Sequence, residues 1–125
     1  MNLQAEATQW LERRNKNMTF AEYEETVKKT AIYPSSHKIL YPALGLAGEA
    51  GEVANKVKKL IRDGFDKQPK DWRERLASEI GDVLWYCVAL SNDLNVPIST
   101  VAKGNMDKLL SRFERGTLGG SGDKR

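Results

Sequence analysis

The sequence predicts an all-α protein, an antiparallel bundle of the four-helix type. Apolar residues recur at spacings of three and four through most of the 125 residues, which is the period of an amphipathic helix. The alternating period of a half-buried strand is missing. Prolines and glycines divide the chain into segments of helical length, so we expect helices joined by short loops.

Two helices are predicted in the first quarter of the chain. The second begins at a capping box, in which Thr19 precedes Glu22 by three residues, and it continues over residues 20–33 until Pro34 interrupts it. The first, over residues 2–15, carries one apolar stripe: Leu3, Ala7, Trp10 and Leu11.

A longer helix is predicted to begin near His37 or Pro42 and to end at Asp63, because Gly64 is a natural C-terminal cap. Residues 65–70 are expected to form a loop. The inner stripe of this helix has five members: Leu44, Val53, Val57, Leu60 and Ile61.

Two more helices complete the predicted bundle. One begins where Asp71 and Glu74 resemble an N-terminal cap and ends near Asn95, since Pro97 forbids continuation. The last spans residues 99–115, with Ser99 as a cap and Gly116 as its stop. The chain is therefore expected to comprise an N-terminal helix within residues 1–18, a main helical domain over 19–116 and a flexible tail over 117–125.

Composition predicts a soluble cytoplasmic protein. One cysteine excludes an internal disulfide, no apolar run is long enough to cross a membrane, and the polar, acidic N-terminus does not resemble a signal peptide. The net charge of +3 is mild, so a nucleic-acid partner is possible but not required, and no membrane partner is expected.

Two acidic pairs are the main functional signal. Glu49 and Glu52 lie three residues apart in a stretch rich in glycine and alanine, and Glu79 and Asp82 repeat that spacing in an apolar run. Residues three apart share one face of a helix, so two antiparallel helices can bring four carboxylates together. The small residues then let the helices approach closely and let a ligand reach the acids. Asp82, within its apolar run, is expected to be buried and to need a cation.

The donor type predicts Mg²⁺ or Mn²⁺, since the candidate ligands are all carboxylates and the chain has one histidine and one cysteine. The alternative is that bases neutralise these acids: Lys56 follows Glu52 by one turn, and Glu49 could face Arg73 or Arg75. A covalent nucleophile is not expected, because Cys87 lies among apolar residues.

These motifs resemble the E-x-x-E and E-x-x-D signature of the all-α nucleoside triphosphate pyrophosphohydrolases, and in particular the MazG-like branch with its single-domain phage and bacterial members. The sequences that carry the resemblance are "GEAGEV", "EIGDVLWY" and "NMDKLLSRFERG". The third matches the family at four positions: Asn105, Lys108, Arg112 and Phe113.

The resemblance implies a catalytic domain over residues 19–116 that hydrolyses (deoxy)nucleoside triphosphates to a monophosphate and pyrophosphate. A metal-activated water would attack the α-phosphate. The resemblance also implies Mg²⁺ held by Glu49, Glu52, Glu79 and Asp82, with Glu49 or Glu52 as the base that activates water. A homodimer or homotetramer would complete the pocket at a helix interface.

Further residues are candidates for substrate binding. Tyr86 lies one turn after Asp82 and could contact the base or sugar, whereas Trp85 is expected in the core. Lys56 could bind phosphate or form a surface ion pair. A basic stripe of Lys108, Arg112 and Arg115 could bind the β- and γ-phosphates, Asn105 could read a base edge or a sugar hydroxyl, and a lead-in similar to that of dCTP pyrophosphatases adds Tyr33 and His37.

Two rival functions fit the same pattern. A non-enzymatic helical module could bind nucleic acid or protein through the basic stripe, without a metal requirement. A related all-α enzyme could instead hydrolyse phosphoribosyl-ATP and leave ordinary nucleotides untouched.

Overall fold

The computed structural model describes residues 4, 5, 8, 9, 11, 12 and 17–125, and all secondary structure in that part of the chain is helical. This confirms the predicted all-α class. Four helices of more than one turn are α1 (Phe20–Thr30), α2 (Leu40–Asp63), α3 (Trp72–Asp93) and α4 (Ile98–Glu114), and short 3₁₀ turns occupy Ser35–His37 and Phe65–Lys67. Within the described residues, none of the helices has the length and apolar character needed to cross a membrane.

The predicted N-terminal helix is only partly covered by the structure. The described positions between residues 4 and 12 are helical. Leu3, Ala7 and Trp10 lie outside the described residues, so the apolar stripe predicted for this helix stays a prediction.

Three predicted helix ends are confirmed by their backbone contacts. The Thr19 hydroxyl accepts a hydrogen bond from the Glu22 N–H at 3.2 Å, and α1 ends at Thr30, earlier than the sequence indicates. Gly64 adopts φ +90°, and its N–H donates to the Leu60 carbonyl at 2.9 Å. Gly116 adopts φ +68° just after the C-cap residue of α4, and its N–H donates to the Phe113 carbonyl at 3.2 Å.

Two predicted side-chain caps are wrong. The Asp71 carboxylate makes no hydrogen bond to the start of α3 and instead accepts one from Arg75 Nε at 2.9 Å. The side chain of Ser99 does not cap α4, which begins one residue earlier. Glu24 of α1 accepts a hydrogen bond from the Ile98 N–H at 3.0 Å and so supplies the cap from another helix.

Helices α2 and α3 form the most extensive helix pair of the chain, and they are antiparallel. Lys56, late in α2, contacts Glu79, early in α3, whereas Gly45, early in α2, lies against Tyr86, late in α3. The connection over residues 64–71 is short, which is typical of antiparallel neighbours.

The buried core lies at the C-terminal end of α3, where α1 and α4 pack against this helix. Four residues form it, one from α1, two from α3 and one from α4: Val27, Val88, Ala89 and Ile98. This small core fixes α1 and the start of α4 to the last turns of α3, while most of α2 and the first half of α3 depend on each other.

Asp93 fixes the turn that leads into α2. Its Oδ2 accepts hydrogen bonds from the Tyr33 hydroxyl at 2.8 Å and from the Ile39 N–H at 2.9 Å. Ile39 has φ +68°, and a β-branched residue held there costs about 1–3 kcal/mol. Burial, together with the Asp93 hydrogen bond, raises the pKa of Tyr33 to about 12, so the phenol stays a donor to Asp93 well above neutral pH.

The first half of α3 is less buried than its apolar sequence indicates. Ile80 is 56% exposed and Leu84 is 37% exposed, and Asp82 is exposed as well. The expectation that Asp82 is buried is therefore wrong for a single chain. The reason is that the helices packed against α3 leave the faces of Ile80, Asp82 and Leu84 exposed.

Residues 117–125 lie against the end of α4. Arg112 is buried, 6% exposed, and its Nη2 donates to the Asp123 carbonyl at 2.9 Å. Arg115 donates from Nη2 to the carbonyl of Arg125 at 3.0 Å. The tail thus engages two members of the predicted basic stripe.

Candidate active site

Three of the four predicted carboxylates converge between α2 and α3. Glu49, Glu79 and Asp82 each offer one oxygen, and these oxygens all lie within 4.8 Å of one another. The spacing follows from the sequence, since Glu79 and Asp82 are one turn apart on α3 and the antiparallel register puts Glu49 beside them. We call these three residues the acidic group.

Glu52, the fourth predicted ligand, lies outside the acidic group and is exposed. It is close enough to act through its charge. Desolvation raises the pKa of Glu49, and the negative charges of Asp82, Glu79 and Glu52 raise it further. The acids therefore repel one another, which is the electrostatic condition that favours a bound cation.

A protein base already neutralises part of this charge. Lys56 Nζ lies 2.9 Å from Glu79 Oε1, with side chains that are 41% and 19% exposed. The two arginines that the sequence offered as partners of Glu49 have other contacts. Arg75 pairs with Asp71, and Arg73 lies over the Trp72 ring, 4.9 Å from its centroid. Within the described residues, Lys56 is the one base paired with these three carboxylates, so the acidic group keeps a net negative charge in this part of the chain.

The chemistry of the acidic group fits a hard divalent cation. Carboxylate oxygens are the donors that Mg²⁺ and Mn²⁺ prefer. Oxygens around one octahedral Mg²⁺ lie about 3–4 Å apart, given bonds of about 2.1 Å, and the 4.8 Å limit of the acidic group is slightly wider. Small side-chain rotations would bring the three oxygens to that spacing.

A surface cavity of about 350 Å³ opens beside the acids and is lined by Glu49, Asp82, Trp85 and Tyr86. We call it the aromatic cavity. Tyr86 is placed as the sequence predicts, one turn from Asp82, and burial followed by the charges of Tyr41 and Glu49 raises its pKa. Trp85 packs against the core, as the sequence predicts, and it also lines the aromatic cavity. Its Nε1–H donates to Thr30 Oγ1 at 2.9 Å, which fixes the ring.

Tyr33 belongs to a row of aromatic rings that reaches the aromatic cavity. The Tyr33 and Tyr41 rings stack with centroids 4.7 Å apart, and the Tyr41 and Tyr86 centroids are 6.5 Å apart. His37 is exposed, with Nδ1 at 3.0 Å from the Ser36 hydroxyl, and it does not line the cavity.

The predicted residues of α4 do not join the acidic group within the single chain. Asn105 and Lys108 are exposed, and Arg112 is bonded to the tail. None of the three lines the aromatic cavity. Any role of these side chains at the acids of the same chain would require a movement of α4.

Sequence reasoning missed Tyr23, which α1 places near the acids. Burial, followed by the charges of Asp82 and Cys87, raises its pKa. No short motif marks Tyr23, since its position depends on how α1 crosses α3. Burial also raises the pKa of the Cys87 thiol, which agrees with the expectation that Cys87 is not a reactive nucleophile.

The glycines of α2 have unequal roles. A Cβ on Gly45 would overlap the ring of Tyr86, whereas a Cβ on Gly48 or Gly51 would meet no atom within 4 Å. Close packing therefore explains Gly45. Gly48 and Gly51 leave open space beside Glu49 and Glu52 in the single chain.

Comparison with known proteins adds an independent observation. The model of the MazG nucleotide pyrophosphohydrolase domain matches residues 36–116, a range that contains the acidic group and Glu52. The chain is also 46% identical over 109 residues to the Gene 37 protein of Mycobacterium phage L5, covering 82% of this chain and 96% of that protein. No solved structure gives a significant match.

The contact between Gly45 and Tyr86 generates a test with a matched control. We expect Gly45→Ala to destabilise the protein by about 2 kcal/mol, as overpacking commonly does, and to change the near-ultraviolet circular dichroism as the Tyr86 ring moves. Gly48→Ala should instead stabilise it by about 0.5–1 kcal/mol through helix propensity. Urea unfolding measures both, and equal stability of the two variants would contradict the packing described here.

Proposed function

Because the chain belongs to the MazG nucleotide pyrophosphohydrolase domain family, we propose that it hydrolyses (deoxy)nucleoside triphosphates between the α- and β-phosphates. The products are a nucleoside monophosphate and pyrophosphate. The observation that carries the proposal is the convergence of Glu49, Glu79 and Asp82 within 4.8 Å, beside a cavity walled by Trp85 and Tyr86.

The proposed cofactor is Mg²⁺, with Mn²⁺ as a substitute. Glu49, Glu79 and Asp82 would hold it, and Glu52 is the nearest further carboxylate on the same face of α2. When bound, the ion supplies positive charge against the phosphates and lowers the pKa of coordinated water.

Glu52 is proposed as the residue that orients the attacking water and takes its proton. It is exposed and outside the acidic group, so its oxygens remain available to water when Glu49, Glu79 and Asp82 are engaged. In the hydrolysis, the water oxygen forms a bond to the α-phosphorus as the bond from that phosphorus to the bridging oxygen breaks. The electron pair leaves with pyrophosphate, and the water proton goes to the carboxylate.

The nucleoside is proposed to enter the aromatic cavity. Tyr86 and Trp85 offer ring faces on which a base can stack, and their ring centroids are 5.0 Å apart in an edge-to-face arrangement. Tyr33 supports this wall through its stacking on Tyr41. His37, exposed on the turn before α2, is proposed as a contact at the outer rim.

A homodimer or homotetramer is proposed to complete the site. Apolar side chains on α2, α3 and α4 are exposed in the single chain: Leu44 is 65%, Ile61 69%, Ile80 56% and Phe113 69% exposed. A second copy packed on these faces would bury them and could bring Asn105, Lys108 and Arg112 of one chain toward the acids of the other. A nucleotide substrate and the lack of a disulfide are consistent with a cytoplasmic location.

The assembly is tested by sedimentation equilibrium. We expect a mass of at least twice the 14.1 kDa of one chain. Leu44→Glu should lower that mass, because a charge would have to be buried in the contact, whereas Ile32→Glu, at a position 92% exposed at the end of α1, should not. A single-chain mass for the unmodified protein would contradict the proposal.

The activity is tested with a panel of canonical and modified nucleoside triphosphates, with and without Mg²⁺. We expect pyrophosphate release that depends on the metal. Asp82→Asn and Glu49→Gln should each lower kcat/KM by about a hundredfold or more, because each removes charge that the reaction depends on. Asp66→Asn, an exposed carboxylate in the connection between α2 and α3, is the control and should retain full activity.

Three results would contradict the proposal in different ways. Release of single orthophosphate would exclude attack at the α-phosphate. Turnover of phosphoribosyl-ATP alone would assign a different substrate. Metal-independent binding of nucleic acid, without turnover of any nucleotide, would favour a binding module instead.

A further inference from the structure

A second cavity, of about 330 Å³, lies on the opposite side of the acidic group from the aromatic cavity. Its lining includes three basic side chains, Lys56, Lys59 and Arg75, above an apolar floor of Leu60, Trp72 and Leu76. Among the described residues that line it, none is acidic. We call it the basic cavity.

The two helices bring these cations together from both sides. Lys56 and Lys59 are three residues apart and share a face of α2, and Arg75 comes from the first turn of α3. Arg75 is held through Nε by Asp71 at 2.9 Å, which restricts its side chain. Cations from two rigid elements over a shared apolar floor are suited to an oxyanion with several charges.

Lys56 connects the basic cavity to the acidic group. It lines the cavity, and its ammonium lies 2.9 Å from Glu79. A divalent cation held by the acids would compete with Lys56 for the Glu79 carboxylate. The ammonium of Lys56 would then lose this partner while it still lined the basic cavity.

The antiparallel pair therefore carries three zones in a fixed order. Along α2, Gly45 lies against the aromatic ring of Tyr86, Glu49 lies in the acidic group, and Lys56 lies at the basic cavity. Lys56 is seven positions after Glu49, which corresponds to a rise of about 10 Å along the helix. A nucleotide whose base is in the aromatic cavity and whose α-phosphate is at the acids would direct its remaining phosphates toward these bases.

We propose that the basic cavity binds the terminal phosphates of the substrate and the pyrophosphate formed from them. Lys59 and Arg75 contact these phosphates directly. The Lys56 ammonium moves from the Glu79 carboxylate to a phosphate oxygen. The orientation of the nucleotide rests on the proposed function, whereas the binding of pyrophosphate can be measured independently. Lys108 and Arg112, the alternative phosphate ligands, lie on α4, and Arg112 is held by the tail.

Calorimetric titration with inorganic pyrophosphate in Mg²⁺ tests the ligand. We expect Lys59→Gln to weaken pyrophosphate binding about tenfold, the typical effect of losing one charged hydrogen bond, and to raise KM for the triphosphate more than it lowers kcat. Lys58→Gln is the matched control. Lys58 precedes Lys59 in the chain, is exposed and does not line the cavity. The pyrophosphate binding constant of Lys58→Gln should therefore differ from that of the unmodified protein by less than about twofold.

The role of Lys56 is tested by Mn²⁺ binding without nucleotide, followed by electron paramagnetic resonance. Lys56→Gln removes the competitor for Glu79, so we expect Mn²⁺ to bind several-fold more tightly than in the unmodified protein or in Lys58→Gln. An unchanged Mn²⁺ affinity in Lys56→Gln would overturn the proposal that Lys56 moves from Glu79 to phosphate.

Two further outcomes separate this proposal from the proposed function. Equal pyrophosphate affinities for Lys59→Gln and Lys58→Gln, or no pyrophosphate binding by the unmodified protein, would overturn the assignment of the basic cavity even if nucleotides are hydrolysed. The unmodified protein could instead bind pyrophosphate and hydrolyse no nucleotide. If Lys59→Gln then weakened pyrophosphate binding and Lys58→Gln did not, the assignment of the basic cavity would be supported and the proposed function contradicted.

Discussion

Mutual repulsion among carboxylates is the constraint on which the site depends. One carboxylate oxygen each from Glu49, Glu79 and Asp82 lies within 4.8 Å of the other two, and desolvation, followed by the negative charges of Asp82, Glu79 and Glu52, raises the pKa of Glu49. The two helices hold them together because of their packing, which includes the contact of Gly45 with Tyr86 and the short connection over residues 64–71. Lys56 relieves only part of the repulsion, since one ammonium faces three carboxylates.

The arrangement around the acids is asymmetric. Aromatic rings of Tyr86 and Trp85 line one side, and the basic cavity with Lys59 and Arg75 lies on the other. Such an order of aromatic, acidic and cationic surfaces matches the order of base, α-phosphate and terminal phosphates in the proposed nucleotide substrate. Asp93 supports the aromatic side at a distance, because its carboxylate holds both Tyr33 and the strained turn that leads into α2.

Short-range features of this molecule could be predicted from the sequence. The spacing of Glu79 and Asp82 fixes a common helix face, and Thr19 and Gly64 cap their helices through neighbours within four residues. Features that depend on distant partners could not be predicted. Ile98 is capped by Glu24 from another helix, and the partner of Lys56 proved to be Glu79 because the register of two helices, rather than the nearby Glu52, decides it. The exposure of Asp82 depends on which helices cover α3, and their packing leaves this carboxylate exposed.

Metal binding at the acidic group is tested most directly by a crystal structure of the protein soaked in Mn²⁺, with the ion located by its anomalous scattering. We expect one or more peaks bonded to oxygens of Glu49, Glu79 and Asp82, with the Lys56 ammonium no longer in contact with Glu79. A map without a peak at these residues, in which Lys56 still pairs with Glu79, would contradict this expectation.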